Sequence, residues 1–272
     1  MNRINRVFQD LRAPGNTGNT KALMPYLTAG DPSVQATGKM LTAIQDAGAS
    51  VCELGIPFSD PIADGPVIEA SMTYALSHGV TVARIFEMVS SVRASLTIGL
   101  VAMVSFSIVH RIGLTRFIGE AKDAGFDGFI FPDLALEESG PAREAAAKAG
   151  LILSMLIAPT TPDDRAERIA QASTGFVYVV SRAGITGERS ELPPELPARL
   201  KRLRGVTDLP ITVGFGISNA KQVRQVVSVA DAAIVGSGMM RRIAEVRSEG
   251  EAQTVKMVTD YTRSLVPGLE PV

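Results

Sequence analysis

The sequence predicts an α/β chain folded as one domain over residues 1–272, a single (β/α)8 barrel (the TIM-barrel architecture) with an extra N-terminal helix. Three observations predict it. Eight short aliphatic runs are spaced along the chain, stretches of helical periodicity lie between them, and 272 residues is an ordinary length for one α/β barrel. Alternation of strand and helix makes the strands parallel with right-handed crossovers. An open doubly wound sheet is the alternative that the same alternation allows, but eight units at this length suit the closed barrel better. No tandem repeat, low-complexity tract or second domain interrupts the pattern.

The elements follow in order. Arg3–Arg12 reads as a helix ahead of the first strand, and the polar stretch Pro14–Thr20 as a linker. The first run is Ala22–Thr28. Ser33, after Pro32, signals a helix over Val34–Ala47, whose apolar positions Val34, Met40, Leu41 and Ile44 end at Gly48. The second run is Ser50–Gly55 and the third is Thr97–Met103. Helical spacing then covers Ile118–Ala124, before the fourth run, Gly128–Pro132. A helix over Arg143–Ala149 leads to the fifth run, Leu151–Ala158. Asp163, after Pro162, signals a helix that continues through Ala166–Ala172 to the sixth run, Gly175–Ser181. Leu196–Leu203 is helical ahead of the seventh run, Pro210–Gly214. Ser218 before Asn219 opens the helix Ala220–Val227, and Ala232–Gly236 is the eighth run.

Composition narrows the function. With 27 Lys+Arg against 28 Asp+Glu and 5% aromatics, the chain lacks the basic surface that nucleic acid requires. One cysteine, Cys52, permits no intramolecular disulfide and fits a reducing compartment. Two histidines and one cysteine leave too few soft ligands for a zinc site, so no metal is expected. The N-terminus lacks the basic-then-apolar signal pattern. The longest stretch without charge or histidine, Ala94–Val109, is too short for a bilayer and holds Ser95, Gly99, Ser105 and Ser107. A cytoplasmic chain with no membrane partner is expected.

A barrel puts its chemistry at the C-terminal ends of the strands. Glu53 lies near that end of the second run, in Val51-Cys52-Glu53-Leu54-Gly55. Alternation sets Glu53 with Val51 and opposite Cys52 and Leu54. An unpaired carboxylate against packed helices would be costly, so Glu53 should face the barrel mouth. Partial desolvation there would raise its pKa and suit it to proton transfer near neutrality. The structural alternative is a buried Glu–Arg pair, yet the runs carry no arginine apart from Arg182 just past the sixth. The loop that follows, Ile56-Pro57-Phe58-Ser59-Asp60-Pro61-Ile62-Ala63-Asp64-Gly65-Pro66, is stiffened by its prolines. By spacing alone, Asp60 and Asp64 read as turn formers.

Glycine clusters follow the last three runs: Ala183-Gly184-Ile185-Thr186-Gly187, Gly214-Phe215-Gly216-Ile217-Ser218 and Gly236-Ser237-Gly238. Glycine turns after strands seven and eight, with a helix N-terminus behind them, are how barrels bind phosphate. A small phosphorylated substrate follows. No nucleotide-triphosphate loop is present. None of the lysines at 21, 39, 122, 148, 201, 221 and 256 sits within the end of a run, which argues against a Schiff-base aldolase. Cys52 reads as a small core residue, and His78 and His110 as isolated surface residues.

These motifs resemble the tryptophan synthase alpha subunit family over nearly the whole chain. The resemblance is carried by Met24-Pro25-Tyr26-Leu27-Thr28-Ala29-Gly30-Asp31-Pro32 and by the stretch from Glu53 to Pro66. It is also carried by Pro132-Asp133-Leu134 with Glu137-Glu138, Ser181-Arg182-Ala183-Gly184-Ile185-Thr186-Gly187 and Gly214-Phe215-Gly216-Ile217-Ser218. It implies a (β/α)8 lyase that splits indole-3-glycerol phosphate into indole and glyceraldehyde 3-phosphate in tryptophan biosynthesis. Glu53 would be the general acid/base, and Asp64 would hold the indole N–H. Tyr26, Tyr178 and Phe215 would line the pocket, and Gly187, Gly216, Gly236 and Ser237 would bind phosphate. Arg182 to about Pro193 would form a lid in which Thr186 meets Asp64. No cofactor is implied in this chain. A pyridoxal-phosphate beta subunit is implied as partner, in an αββα heterotetramer. Ser105-Phe106-Ser107-Ile108 stands where the family shows a Tyr-Tyr-Asn-Pro-like run that touches the beta subunit, which implies a weakened partner contact. A different phosphate-binding barrel, such as a phosphosugar isomerase, would leave Glu53–Asp64 unexplained. A non-catalytic regulatory barrel would have lost one of the two acids.

Overall fold

Each of the eight runs forms a strand, and the fifth is broken in two. The computed structural model describes residues 1–16, 18–61, 64–181, 193–214 and 216–270. Among these the strands are β1 (Ala22–Thr28), β2 (Val51–Gly55), β3 (Gly99–Met103), β4 (Gly128–Ile130), β5 (Ile152–Ser154), β6 (Leu156–Ile157), β7 (Val177–Val180), β8 (Ile211–Gly214) and β9 (Ala232–Val235). All pairings are parallel, in the order β5-β4-β3-β2-β1-β9-β8-β7-β6. The two outermost strands are halves of one run, so the ring closes through the interrupted strand. The break lies at Met155. Its amide turns to the Ser173 hydroxyl at 3.2 Å, while its carbonyl takes the Tyr178 amide at 3.3 Å. β5 thereby pairs with β4, and β6 with β7. The doubly wound alternative is excluded.

The helices are α1 (Arg3–Leu11), α2 (Val34–Asp46), α3 (Pro66–Ser77), α4 (Val82–Val92), α5 (Phe106–Ile112), α6 (Leu114–Ala124), α7 (Gly140–Ala149), α8 (Asp163–Ala172), α9 (Leu196–Arg204), α10 (Ala220–Val227), α11 (Ser237–Val246) and α12 (Glu251–Leu265). α2 starts where the sequence places it, with the Ser33 hydroxyl accepting the Ala36 amide at 3.0 Å. α10 is capped by Asn219 rather than by Ser218 before it. Strands covered on both faces bury every residue, and β1, β2, β3, β8 and β9 do so. Among the described residues, no helix is long and apolar enough to cross a membrane.

α1 sits against the N-terminal ends of the strands. Ile4 and Phe8 are buried, and a methyl added at Gly99 would come within 2.7 Å of the Ile4 side chain. Buried carboxylates at this end are paired. Asp127 accepts from Arg3 and from the Leu100 amide, both at 2.8 Å, with Arg93 at 3.5 Å. Asp231, at the same end of β9, accepts from the Ile211 amide at 2.8 Å and pairs with Arg12 and Arg204. These networks tie the base of the barrel together; they do not offer reactive groups.

Candidate active site

Glu53 is the third residue of β2, in register with Tyr26 of β1 and Val101 of β3. It is 1% exposed, and among the described residues neither carboxyl oxygen has a hydrogen-bond partner. Burial pushes its pKa well above the usual carboxylate range, because ionisation would leave a charge without solvent or partner. The Glu–Arg alternative fails, since no arginine reaches it among the described residues. At one end of the barrel, then, acids are paired and structural; in β2 an acid is buried and unpaired.

Two tyrosines share the lumen with it. A methyl at Gly55 would collide with the Tyr26 hydroxyl, and one at Gly214 with the Tyr178 hydroxyl. Glycine at the ends of β2 and β8 therefore makes room for the two phenols. Burial raises both hydroxyls, and the Glu53 and Asp64 charges each push them further in the same direction. Both phenols thus lie within electrostatic reach of the two carboxyls.

Asp64 stands at the end of the β2 loop, directly before Gly65, the N-cap of α3. Its amide donates to the Pro61 carbonyl at 2.9 Å. It is half-buried, and burial raises its pKa to about 6. Asp64, Phe58, Met72 and Met103 line a cavity of about 260 Å³, together with Ser105 and Asp133. Larger hollows of about 430 and 780 Å³ lie around Asn5, Gly175 and Leu209, ahead of the strands, and contain no buried carboxylate. Asp60 is exposed and accepts from the adjacent Ser59 hydroxyl at 2.8 Å, which fits a turn former.

The glycine turns lie at the same rim as Gly55. Gly214 ends β8, Gly236 follows β9, and Gly216 adopts φ +80°, a left-handed turn that glycine allows. α11 begins at Ser237 with no side-chain cap, whereas α10 is capped by Asn219, which accepts the Gln222 amide at 3.0 Å. Uncapped first-turn amides and the positive end of the helix suit an anion. Gly216, Gly236 and Ser237 are all half-exposed. A methyl at Gly236 would sit 3.7 Å from Tyr26 Cβ, so this turn adjoins the lumen that holds Glu53.

Tyr26, Tyr178, Glu53, Asp64, Gly216, Gly236 and Ser237 are thus brought to one end of the barrel. Thr186, Gly187 and the loop at 182–192 lie outside the described residues, as does Phe215. Among the described residues, no cluster of histidine, cysteine or acidic side chains could hold a metal.

The unusual segment is ordered by a contact that spacing does not signal. Asp133 accepts from the Ser105 hydroxyl and from the Phe106 amide, both at 2.7 Å, and so fixes the start of α5. Phe106 packs edge-on to Phe131 with ring centroids 5.5 Å apart, and Ile108 is partly buried against the core. These pairs could not be read from periodicity, because the partners are 25 to 28 residues apart in sequence.

Comparisons with known proteins bear on the family and the fold. The profile of the tryptophan synthase alpha chain family matches residues 13–266. The tryptophan synthase alpha chain of Chloroflexus aggregans is 43% identical over 273 residues, covering 100% of both chains. That of a Synechococcus species is 44% identical over 238 residues, 87% of each chain. Among solved structures, the tryptophan synthase alpha subunit of Legionella pneumophila superposes with a TM-score of 0.87 at 33% identity, covering 99% of this chain and 98% of that one. A tryptophan synthase structure from M. tuberculosis, in its aminoacrylate-bound form, gives 0.86 at 29% identity, covering 99% of this chain and 100% of that one. The chain belongs to the tryptophan synthase alpha chain family.

Proposed function

We propose that this single-domain barrel is a carbon–carbon lyase that cleaves indole-3-glycerol phosphate by a retro-aldol step, releasing indole and glyceraldehyde 3-phosphate for tryptophan synthesis. The observation that carries the reading is the Glu53 carboxyl, buried and without a partner in the same lumen as Tyr26, Tyr178 and Asp64. Cleavage needs a proton on the ring carbon that bears the side chain, and removal of the proton from the adjacent hydroxyl. Glu53, held protonated by burial, gives the first proton and, once ionised, takes the second as the carbon–carbon bond breaks. The bond's electron pair returns to the ring, the hydroxyl carbon becomes the aldehyde, and Glu53 ends the cycle protonated as it began. Asp64, more acidic, accepts the indole N–H bond and stabilises the positive charge of the protonated ring.

Tyr26, Tyr178 and Phe215 would enclose the indole. Gly187, Gly216, Gly236 and Ser237 would hold the phosphate, and Thr186 would meet Asp64 on closure, the roles that the family resemblance gives these positions. The chemistry asks only for proton transfers, so no cofactor is required of this chain. We place its indole product with a pyridoxal-phosphate beta subunit in an αββα assembly, in the cytoplasm. Ser105 and Phe106, tied to Asp133, give that partner a different edge from the family's Tyr-Tyr-Asn-Pro-like run, and a weaker contact.

Purified protein given indole-3-glycerol phosphate should release indole and glyceraldehyde 3-phosphate in equal amounts, with little stimulation by added beta subunit. No indole, with or without that subunit, would remove the lyase reading; strong stimulation and a tight complex would remove the weakened contact.

A further inference from the structure

The C-terminal helix α12 reaches the glycine turns through one side chain. Tyr261 is buried, and its hydroxyl donates to the Ser218 carbonyl at 2.9 Å, in the turn after β8. The same hydroxyl lies over Gly238, in the first turn of α11, where an added methyl would come within 2.6 Å of it. That methyl would also press on the Ile217 carbonyl at 3.2 Å and on Ser218 Cα at 3.3 Å, so the two turns touch at this point. Arg242 completes the arrangement. Its guanidinium stacks 4.0 Å from the centre of the Tyr261 ring, and its Nη1 donates to the Gly238 carbonyl at 2.9 Å. Ser218 is further held by Gln222, whose Oε1 accepts the Ser218 amide at 2.7 Å and its hydroxyl at 3.1 Å.

We propose that Tyr261, braced by Arg242, is a positioning residue that sets the spacing between the turns after β8 and β9 and thereby the affinity for the substrate's phosphate. The inference rests on the reading that those turns hold phosphate. Tyr261 donates to the Ser218 carbonyl, a contact that fixes backbone. Ser218, with its polar groups engaged by Tyr261 and Gln222, acts as a fixed post. The half-exposed Gly216, Gly236 and Ser237 are left to face the ligand. Pre-setting the turns lowers the ordering cost of binding, an effect on ground-state affinity more than on the chemical step.

The test is Tyr261→Phe, which removes the hydroxyl and keeps the ring beneath Arg242. KM for indole-3-glycerol phosphate should rise roughly three- to tenfold, the worth of one neutral hydrogen bond, with kcat within twofold. Competitive inhibition by inorganic phosphate should weaken by the same factor, and inhibition by indole, which has no phosphate, should stay unchanged. KM does not depend on the folded fraction, so a partly unfolded preparation still decides. Arg242→Met, which frees the Gly238 carbonyl, is read in the same way if the first variant does not fold. Unchanged KM and phosphate inhibition in an active variant would overturn the positioning role and leave the lyase reading intact. Indole inhibition weakening in step with phosphate would also overturn it. Should the wild-type protein cleave nothing, the lyase reading falls instead, and calorimetric titration with inorganic phosphate still measures whether Tyr261→Phe loosens the site.

Discussion

Glu53 and Asp64 are both raised by burial, which suits them to the roles proposed for them. Asp64, at about 6, is ionised at neutral pH and can accept the indole N–H; Glu53, raised well above its ordinary value, keeps the proton it must donate. The sign follows. As pH falls through about 6, Asp64 becomes protonated and loses its acceptor charge, so kcat/KM of the lyase reaction should drop about tenfold per unit below that point. As pH rises through the raised pKa of Glu53, the donor is lost and the rate should fall again. A pH–rate profile measures both limbs; an acid limb near the ordinary aspartate value would show that Asp64 is not the group required. Much of this was legible in the sequence. An acid inside an apolar run has few tolerable environments, which is why Glu53 could be placed from its neighbours alone. Asp64 could not, because Asp-Gly-Pro is also turn chemistry, and only its burial in the loop separates it from exposed Asp60.

The strands were readable because each is buried on both faces and reads as a continuous aliphatic run. Among the helices the sequence does not reveal, α4 and α5 carry the side-chain caps Thr81 and Ser105, but others have none. α3, α11 and α12 begin after glycines, Gly65, Gly236 and Gly250, with no side-chain cap, and α4 follows α3 with no strand between. Uncapped starts in α3 and α11 border Asp64 and the glycine turn after β9, so the missing signal and the function coincide. The break at Met155 was equally silent, since it depends on Ser173 and Tyr178 arriving from later in the chain. A consequence for β8 can be measured. Gly214→Ala places a methyl against the Tyr178 hydroxyl and within 3.0 Å of two of its ring carbons, so the phenol must shift within the lumen. The variant should unfold about 1–3 kcal/mol more easily and raise KM severalfold. Unchanged denaturant midpoint and KM would mean that Tyr178 does not occupy the space this glycine leaves.

Across the whole molecule the acids differ by place: Asp127 and Asp231 are paired and brace the N-terminal end, whereas buried Glu53 in β2 has no hydrogen-bond partner among the described residues. Asp127→Ala should therefore cost about 3 kcal/mol in chemical denaturation, because it leaves Arg93 buried without its carboxylate. Its kcat should match the wild type; a variant equally slow at saturating substrate would contradict the division. At the other end, the proposed function puts proton transfer in β2 and phosphate retention in the turns after β8 and β9, so one substitution should separate them. The direct measurement is a single-turnover assay of Glu53→Gln, alongside calorimetric binding of indole-3-glycerol phosphate. The expected result is binding within a few-fold of wild type and a cleavage rate lower by roughly 10²–10⁴. A variant that binds normally and still cleaves at the wild-type rate would contradict the account.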